Sequence, residues 1–258
     1  MKIQIFTLLI IIISLFVLYK KNKLNKISIC IIIFLSLFLL ILTKHNKQEN
    51  VIDKYLKEKA TEVITSNNTN IYIIDNFINS EECEKLIESS KNSFVKSQIS
   101  KPVQDPDFRT SYTSHLKKED KIQQNFDKKI STFLKIPDKK GEPIQFQYYK
   151  VGNQFKAHWD YFDPKDEMYK KDLEKNGQRT WTFMIYLNDV LKGGETEFVE
   201  LNKIIKPKKG RAVIWNSMNH DYSNVNSNTK HRGIPVEKGY KYIITKWFRT
   251  KDWKGKGF

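Results

Sequence analysis

Two apolar runs near the N-terminus, residues 3–19 (IQIFTLLIIIISLFVLY) and 27–43 (ISICIIIFLSLFLLILT), constrain this chain more than any other feature. Each reaches the lower limit of about 17 residues for crossing a bilayer. The 258 residues therefore cannot all belong to one water-soluble fold. A cleaved signal peptide is the alternative for the first run. KKNKLNK follows it in place of a small-residue cleavage site, which favours an anchor. The expectation is a membrane anchor of two transmembrane helices over 1–45. The loop between the runs carries Lys20, Lys21, Lys23 and Lys26, against Lys2 on one outer flank and Lys44 and Lys47 on the other. Positive charge tends to stay cytoplasmic, which places the loop in the cytosol and the C-terminal bulk in a lumen or outside.

Residues 46–70 are polar and read as a stalk. A globular composition begins at 71 and leaves enough chain for one domain with a real core, 71–252, and a short tail, 253–258. "IYIIDNFI" (71–78) reads as a strand. "SEECEKLIESSKNSF" (80–94) opens with Ser80 as an N-cap and acidic residues in its first turn, which suits a helix start. "KEDKIQQNFDKKISTFL" (118–134) sets Ile122, Phe126, Ile130 and Phe133 at helical spacing, and Pro137 and Gly141 then break the chain. Beyond 141 the pattern turns to β-branched and aromatic runs at 144–150, 155–161, 180–189, 195–200, 211–216 and 241–249, punctuated by glycines. Helices first and many short strands after them predict an α+β fold with a sandwich or barrel-like core. The charged segment 163–179 reads as a mobile loop beside the site described next.

The net charge is +16, yet only five basic residues are arginine: Arg109, Arg179, Arg211, Arg232 and Arg249. Base readers rely on arginine for bidentate contacts, so the lysine excess reads as a solvated surface and no nucleic-acid partner is expected. An acidic polypeptide or an anionic lipid surface suits it equally. The two cysteines, Cys30 and Cys83, exclude a disulfide framework and a cysteine-based zinc site. Asn67-Asn68-Thr69 is a glycosylation acceptor pattern if this part is lumenal.

The chemistry gathers around "FKAHWDYFD" (155–163). Residues two apart on a strand share a face, so His158 and Asp160 can turn toward one ion. With a distant second histidine they would form the two-histidine, one-carboxylate set of non-haem Fe(II) oxygenases, which leaves three positions open. The third ligand must come from His45, His115, His220 or His231. His45 borders the apolar run and His115 precedes the strand-rich region, whereas His220 and His231 both lie downstream. The residues after His231, "HRGIPVEKGYKYIITKW", put Lys241 on a strand face shared with Ile243, Thr245 and Trp247. A lysine facing inward among apolar residues needs an anion, and a carboxylate ligand would supply one.

With these pieces in order the region resembles the prolyl 4-hydroxylase family of 2-oxoglutarate- and Fe(II)-dependent dioxygenases. The resemblance runs over roughly 71–250 through "IDNFINSEECEKLI", "RTS" at 109–111, "YYKVGNQFKAHWD", "RTWTFMIYLNDVLKGGETEF", "IKPKKGRAVIWN" and "KHRGIPVEKGYKYIITKWF". It looks closer to the compact plant, algal and viral members than to the collagen-modifying animal enzymes. It implies a double-stranded β-helix (jelly-roll) core with supporting helices. It implies a procollagen-proline 4-dioxygenase-like enzyme that hydroxylates proline in polypeptides, with Fe(II), 2-oxoglutarate as co-substrate and ascorbate as reductant. His158, Asp160 and His231 would hold iron. Lys241 would meet the distal carboxylate of 2-oxoglutarate, Tyr149 would hydrogen-bond it, and Thr182 and Trp247 would line the same pocket. Arg109, Tyr112, Phe155, Trp159 and Arg232 fall where substrate contacts are expected. The family often has Tyr three residues before the first iron ligand and Glu-Pro just before it; here Phe155 and Lys156-Ala157 stand there. Another oxygenase of the same fold, acting on lysine or a different substrate, and a non-catalytic binding module are the competing readings. The expected location is a membrane, multi-pass or signal-anchored, with the catalytic part lumenal in the endoplasmic reticulum or a viral-host equivalent.

Overall fold

The computed structural model of this protein describes residues 51–66, 69–99, 104–117, 119–219 and 223–255. The two apolar runs, His45, His220 and Asn67-Asn68 lie outside the described residues, so the two-helix anchor expected over 1–45 does too. Among the described residues no helix is long and apolar enough to cross a membrane. The fold is carried by the unit Ile52–Phe258.

Helix α1 (residues 51–59) is followed by β1 (Glu62–Ser66), β2 (Thr69–Ile74) and helix α2 (Ser80–Ser90). The cap of α2 is Asn79, not Ser80. Its side chain accepts from Glu82 N at 2.8 Å while Glu82 Oε2 accepts from Asn79 N at 3.0 Å, a reciprocal capping box. After β3 (Val95–Lys96) and β4 (Tyr112–Ser114), helix α3 (Lys121–Leu134) starts at Asp120, whose carboxylate accepts from Ile122 N and Gln123 N. Its buried stripe is Phe126, Ile130 and Leu134, the helical spacing of the sequence read one step further round.

Strands then dominate: β5 (Gln145–Tyr149), β6 (Phe155–His158), β7 (Arg179–Tyr186), β8 (Lys192–Gly193), β9 (Thr196–Phe198), β10 (Lys203–Ile205), β11 (Ala212–Asn216), β12 (His231–Gly233), β13 (Val236–Lys238) and β14 (Lys241–Arg249), with helix α4 (Lys170–Asn176) between β6 and β7. An eight-stranded sheet has the order β1-β2-β11-β7-β14-β5-β4-β3, a four-stranded sheet β10-β9-β12-β6, and β13 pairs β8. Every named pairing is antiparallel. The arrangement is a mixed α/β fold consistent with a jelly roll.

The two-residue period of the strands sorts the large sheet into two faces. Tyr72, Phe183, Ile185, Ile214 and Ile244 pack under the helices with Leu56, Leu86, Ile130 and Leu134. Their sequence neighbours Ile71, Ile73, Met184, Tyr186, Val213 and Ile243 meet Phe198 and Ile205 of the small sheet and Leu201 of the turn between β9 and β10. The site lies on this second face, where the two sheets enclose it.

Three expectations need correction. Residues 51–66 are not a stalk: Leu56 is fully buried in the helix-side core, and β1 extends the large sheet against β2. The polarity that suggested a stalk belongs to the exposed side of α1, where Lys54, Lys57 and Lys59 point out. Residues 163–179 are not a plain loop. They hold α4, whose buried Asp172 accepts from Asn176 Nδ2 at 2.8 Å and pairs with Arg249 Nη1 at 2.9 Å. The tail joins the same structure, with Trp253 N donating to Lys139 O at 2.7 Å and Asn176 Nδ2 to Gly255 O at 2.8 Å.

Candidate metal centre and co-substrate cavity

His158 ends β6, and the chain bends so that Asp160 lies two residues past the strand rather than on it. β12 pairs with β6 so that His231 stands directly opposite His158. One ligand atom from each of His158, Asp160 and His231 lies within 4.8 Å of the others. His158 Nε2 is 4.0 Å from Asp160 Oδ1, and His231 Nε2 is 4.0 Å from Asp160 Oδ2. The second nitrogen of each ring is occupied: His158 Nδ1 meets Lys156 O at 2.8 Å and His231 Nδ1 meets Thr229 O at 2.9 Å. Carbonyls on Nδ1 leave both Nε2 lone pairs for a metal.

The electrostatics agree. Burial, followed by the proximity of His231, pushes His158 down to about 3, so the ring is neutral and able to ligate at neutral pH. Burial alone would raise Asp160; the two histidines, Arg179 and the Thr182 hydroxyl outweigh it and hold the carboxyl below its usual value. Two imidazoles and one carboxylate on one side of a cavity suit Fe(II).

That cavity has a volume of about 1290 Å³. Lys241 reaches into it from β14, 1% exposed, its Nζ donating to Gly194 O at 3.0 Å and lying 4.1 Å from the Tyr149 ring centre. Among the described residues no carboxylate pairs with it. Burial lowers its pKa to about 7. The Glu195 carboxylate offsets only part of that effect, and an anionic ligand beside the buried ammonium would relieve the remaining desolvation cost. Beside it runs a polar row: Tyr149 Oη donates to Gln147 Oε1 at 2.8 Å, and Gln147 Nε2 to Thr245 Oγ1 at 3.1 Å. Gly233 keeps this corner open, since a Cβ there would stand 3.4 Å from Lys241 Nζ. Ile243, Thr245 and Trp247 border the cavity with Lys241, as the strand period requires.

The remaining predicted residues divide. Arg109, Phe155 and Trp159 border the cavity; Trp159 is 39% exposed and its Nε1 donates to Ser227 O at 2.9 Å. Thr182 does not border it. Its hydroxyl donates to Asp160 Oδ2 at 2.7 Å, so it supports a metal ligand instead of lining the pocket. Tyr112 packs with Tyr148 under Lys150, away from the cavity lining, because it alternates with the inward residues of β4. Arg232 is exposed and paired with Glu197, directly opposite it on β9, so it too is turned away. His115 borders the cavity but lies outside the ligand cluster.

Sequence reading missed Glu142. It lies before β5 and accepts from Arg179 Nε at 2.7 Å, Arg179 Nη2 at 2.8 Å and Arg249 Nε at 2.6 Å, with Glu142 and Arg249 buried. This clamp holds Arg179 4.0 Å over Trp247 at the cavity wall. Its partners are 37 and 107 residues away, so no local pattern announces it.

Residues 144–249 match the model of the 2OG-Fe(II) oxygenase superfamily. Prolyl 4-hydroxylase 5 of Arabidopsis thaliana is 35% identical over 195 residues, covering 66% of this chain and 65% of that protein. Probable prolyl 4-hydroxylase 8 of the same plant matches with the same identity and coverage. The chain thus spans about 65% of the length of these curated relatives. Among solved structures, the 2OG complex of the viral collagen prolyl hydroxylase from Paramecium Bursaria Chlorella virus-1 is similar at TM-score 0.55 and 28% identity, covering 69% of this chain and 94% of that one. A prolyl hydroxylase from Trichoplax adhaerens, in complex with a hypoxia inducible factor peptide fragment, shares the fold at TM-score 0.53 and 15% identity, covering 80% and 92%. The two histidines, one carboxylate and buried lysine in one cavity fit the 2OG-Fe(II) oxygenase superfamily whose model residues 144–249 match, and the chain is similar to prolyl 4-hydroxylases of plant and viral origin.

Proposed function

We propose that this protein hydroxylates proline residues in polypeptides, converting 2-oxoglutarate and dioxygen to succinate and carbon dioxide as one oxygen atom enters the proline C–H bond. The observation that carries the proposal is the buried ammonium of Lys241, bonded to the Gly194 carbonyl and to no carboxylate among the described residues, in the same cavity as the His158, Asp160 and His231 cluster. A dicarboxylate with one end near the cluster and the other at Lys241 satisfies both.

Iron held by His158, Asp160 and His231 would supply the oxidising chemistry, the activation of dioxygen driven by decarboxylation of 2-oxoglutarate. The chain's own residues do the rest. Lys241 Nζ neutralises the distal carboxylate, and the Tyr149 and Thr245 hydroxyls stand ready to hydrogen-bond it. Thr182 holds Asp160, and the Lys156 and Thr229 carbonyls hold the two imidazoles in one tautomer. Ile243, Met184 and Trp247 make the wall apolar and limit water near the reacting atoms. Trp159, exposed at the cavity border, offers the peptide an aromatic face, and Arg109 and Phe155 border the cavity beside the cluster. Ascorbate would serve as reductant. Runs 3–19 and 27–43 would anchor the protein, with the catalytic unit lumenal.

The test is succinate release by the full-length chain with Fe(II), 2-oxoglutarate and ascorbate, with and without proline-rich peptides. The expected result is peptide-stimulated turnover with a gain of one oxygen on proline, abolished by His231→Ala and spared by His220→Ala. Turnover that leaves proline unmodified would keep the oxygenase and discard the substrate. Absence of turnover with iron bound would overturn the activity.

A further inference from the structure

Strand β6 carries one residue more than its partner. His231 stands opposite His158 and Gly233 opposite Phe155, so two steps along β12 match three along β6. In a regular strand residues three apart face opposite ways. An extra residue reverses one step of that alternation, and here it brings Phe155 and His158 to one face. Their rings stack in near-parallel planes, centres 3.5 Å apart and 15° between planes. With the imidazole filling one face of Phe155, the Arg109 guanidinium, 4.6 Å from the same ring centre, takes the other.

Arg109 is itself fixed. It donates from Nη2 to Gln145 Oε1 at 2.9 Å, from Nη1 to Gln98 O at 3.0 Å and from Nε to Ser111 Oγ at 3.2 Å. The backbone around it is zipped to β6: Arg109 bridges Phe155, Thr110 N donates to Gln154 O at 3.0 Å and Lys156 N to Phe108 O at 2.8 Å.

The two histidines therefore differ in support. His231 is buried in the sheet interior, with Trp215 4.9 Å away edge-on and Phe198 at 5.6 Å. His158 sits on the edge strand of the four-stranded sheet, where no further strand of that sheet packs beyond it. One hydrogen bond to Lys156 O chooses its tautomer, but a single bond leaves the ring free to tilt about it. The stack supplies the missing constraint.

We propose that Phe155, backed by Arg109, is a positioning residue that sets the ring plane of His158 and thereby the affinity and geometry of the metal site. This rests on the reading of His158 as a metal ligand. The ring does the positioning.

The test uses the full-length chain titrated with Co(II), read by the visible absorption bands of the bound ion and by the dissociation constant. Phe155→Leu is expected to weaken binding about 10–100-fold, the range for residues that orient a metal ligand, and to change the absorption spectrum. Phe155→Tyr keeps the ring and is expected to match the unsubstituted chain. Arg109→Met is expected to weaken binding severalfold alone and to add little in the Phe155→Leu background. Circular dichroism and metal-free melting control for folding, and if Phe155→Leu fails to fold, Arg109→Met and Phe155→Tyr decide. Unchanged affinity and spectrum in Phe155→Leu, or in Arg109→Met when that variant decides, with binding lost in His158→Ala, would overturn the positioning role alone. Unchanged binding in His158→Ala would instead remove the metal-ligand reading beneath it.

Discussion

The Thr182 hydroxyl donates to Asp160 Oδ2 at 2.7 Å, joining the large sheet to the metal cluster through one hydrogen bond. Thr182 stands opposite Trp215 on one neighbouring strand and Trp247 on the other, so it is held from both sides. Thr182→Val preserves shape and removes the donor. The buried carboxylate then loses a partner, a change of about 1–3 kcal/mol. Co(II) affinity should drop about tenfold, whereas Thr182→Ser should retain it; isothermal titration distinguishes the two.

Lys241 makes co-substrate binding pH-dependent. Burial places its pKa near 7 in the ligand-free protein, and a bound carboxylate raises it by stabilising the charged form. Binding must therefore take up a proton above about pH 7. Affinity for 2-oxoglutarate should be flat below that pH and fall with rising pH above it, up to the raised pKa of the complex. Titration calorimetry in buffers of different ionisation enthalpy measures the proton count. Lys241→Met should lose both the affinity and the proton uptake. Without ligand the sign reverses for stability: between about 7 and 10.5 the unfolded chain binds more protons at this lysine than the native one, so this contribution grows with pH.

Asp75 predicts an acid-sensitive corner. Its hydrogen bonds from Arg211, with Nε at 2.7 Å, and from Lys208 at 2.8 Å hold its carboxyl down at about 2, from an ordinary 3.8. A depressed carboxylate stabilises the fold above its unfolded pKa and ceases to as pH falls from about 3.8 through 2. Asp75→Asn should cost about 2 kcal/mol at neutral pH and nothing near pH 2, read by denaturant unfolding at each pH.

The segment expected to be a stalk should prove essential to the domain. Leu56 is fully exposed to core packing and not to solvent, among Ile52, Tyr72 and Leu134. Leu56→Ala should destabilise by about 2–5 kcal/mol. A chain cut at residue 66 loses α1 and β1 together and should melt lower than the full chain by differential scanning fluorimetry.

Local spacing determined a good deal. The amphipathic stripe of α3, the aromatic and β-branched runs of β5, β7, β11 and β14, and the shared face of Lys241, Ile243, Thr245 and Trp247 follow from periods of 3.6 and 2. His158, Asp160 and Lys241 stood out because buried charge and ligand-type side chains are conspicuous among apolar residues. Tertiary structure decided what depends on partners far along the chain. It set His231 opposite His158, turned Arg232 to Glu197 and Tyr112 to Tyr148, gave the Thr182 hydroxyl to Asp160, and closed Glu142 on Arg179 and Arg249. The reason is physical. A strand's period says which residues share a face, but a bulge, a bend after the last paired residue and the choice of neighbouring strand decide what that face meets.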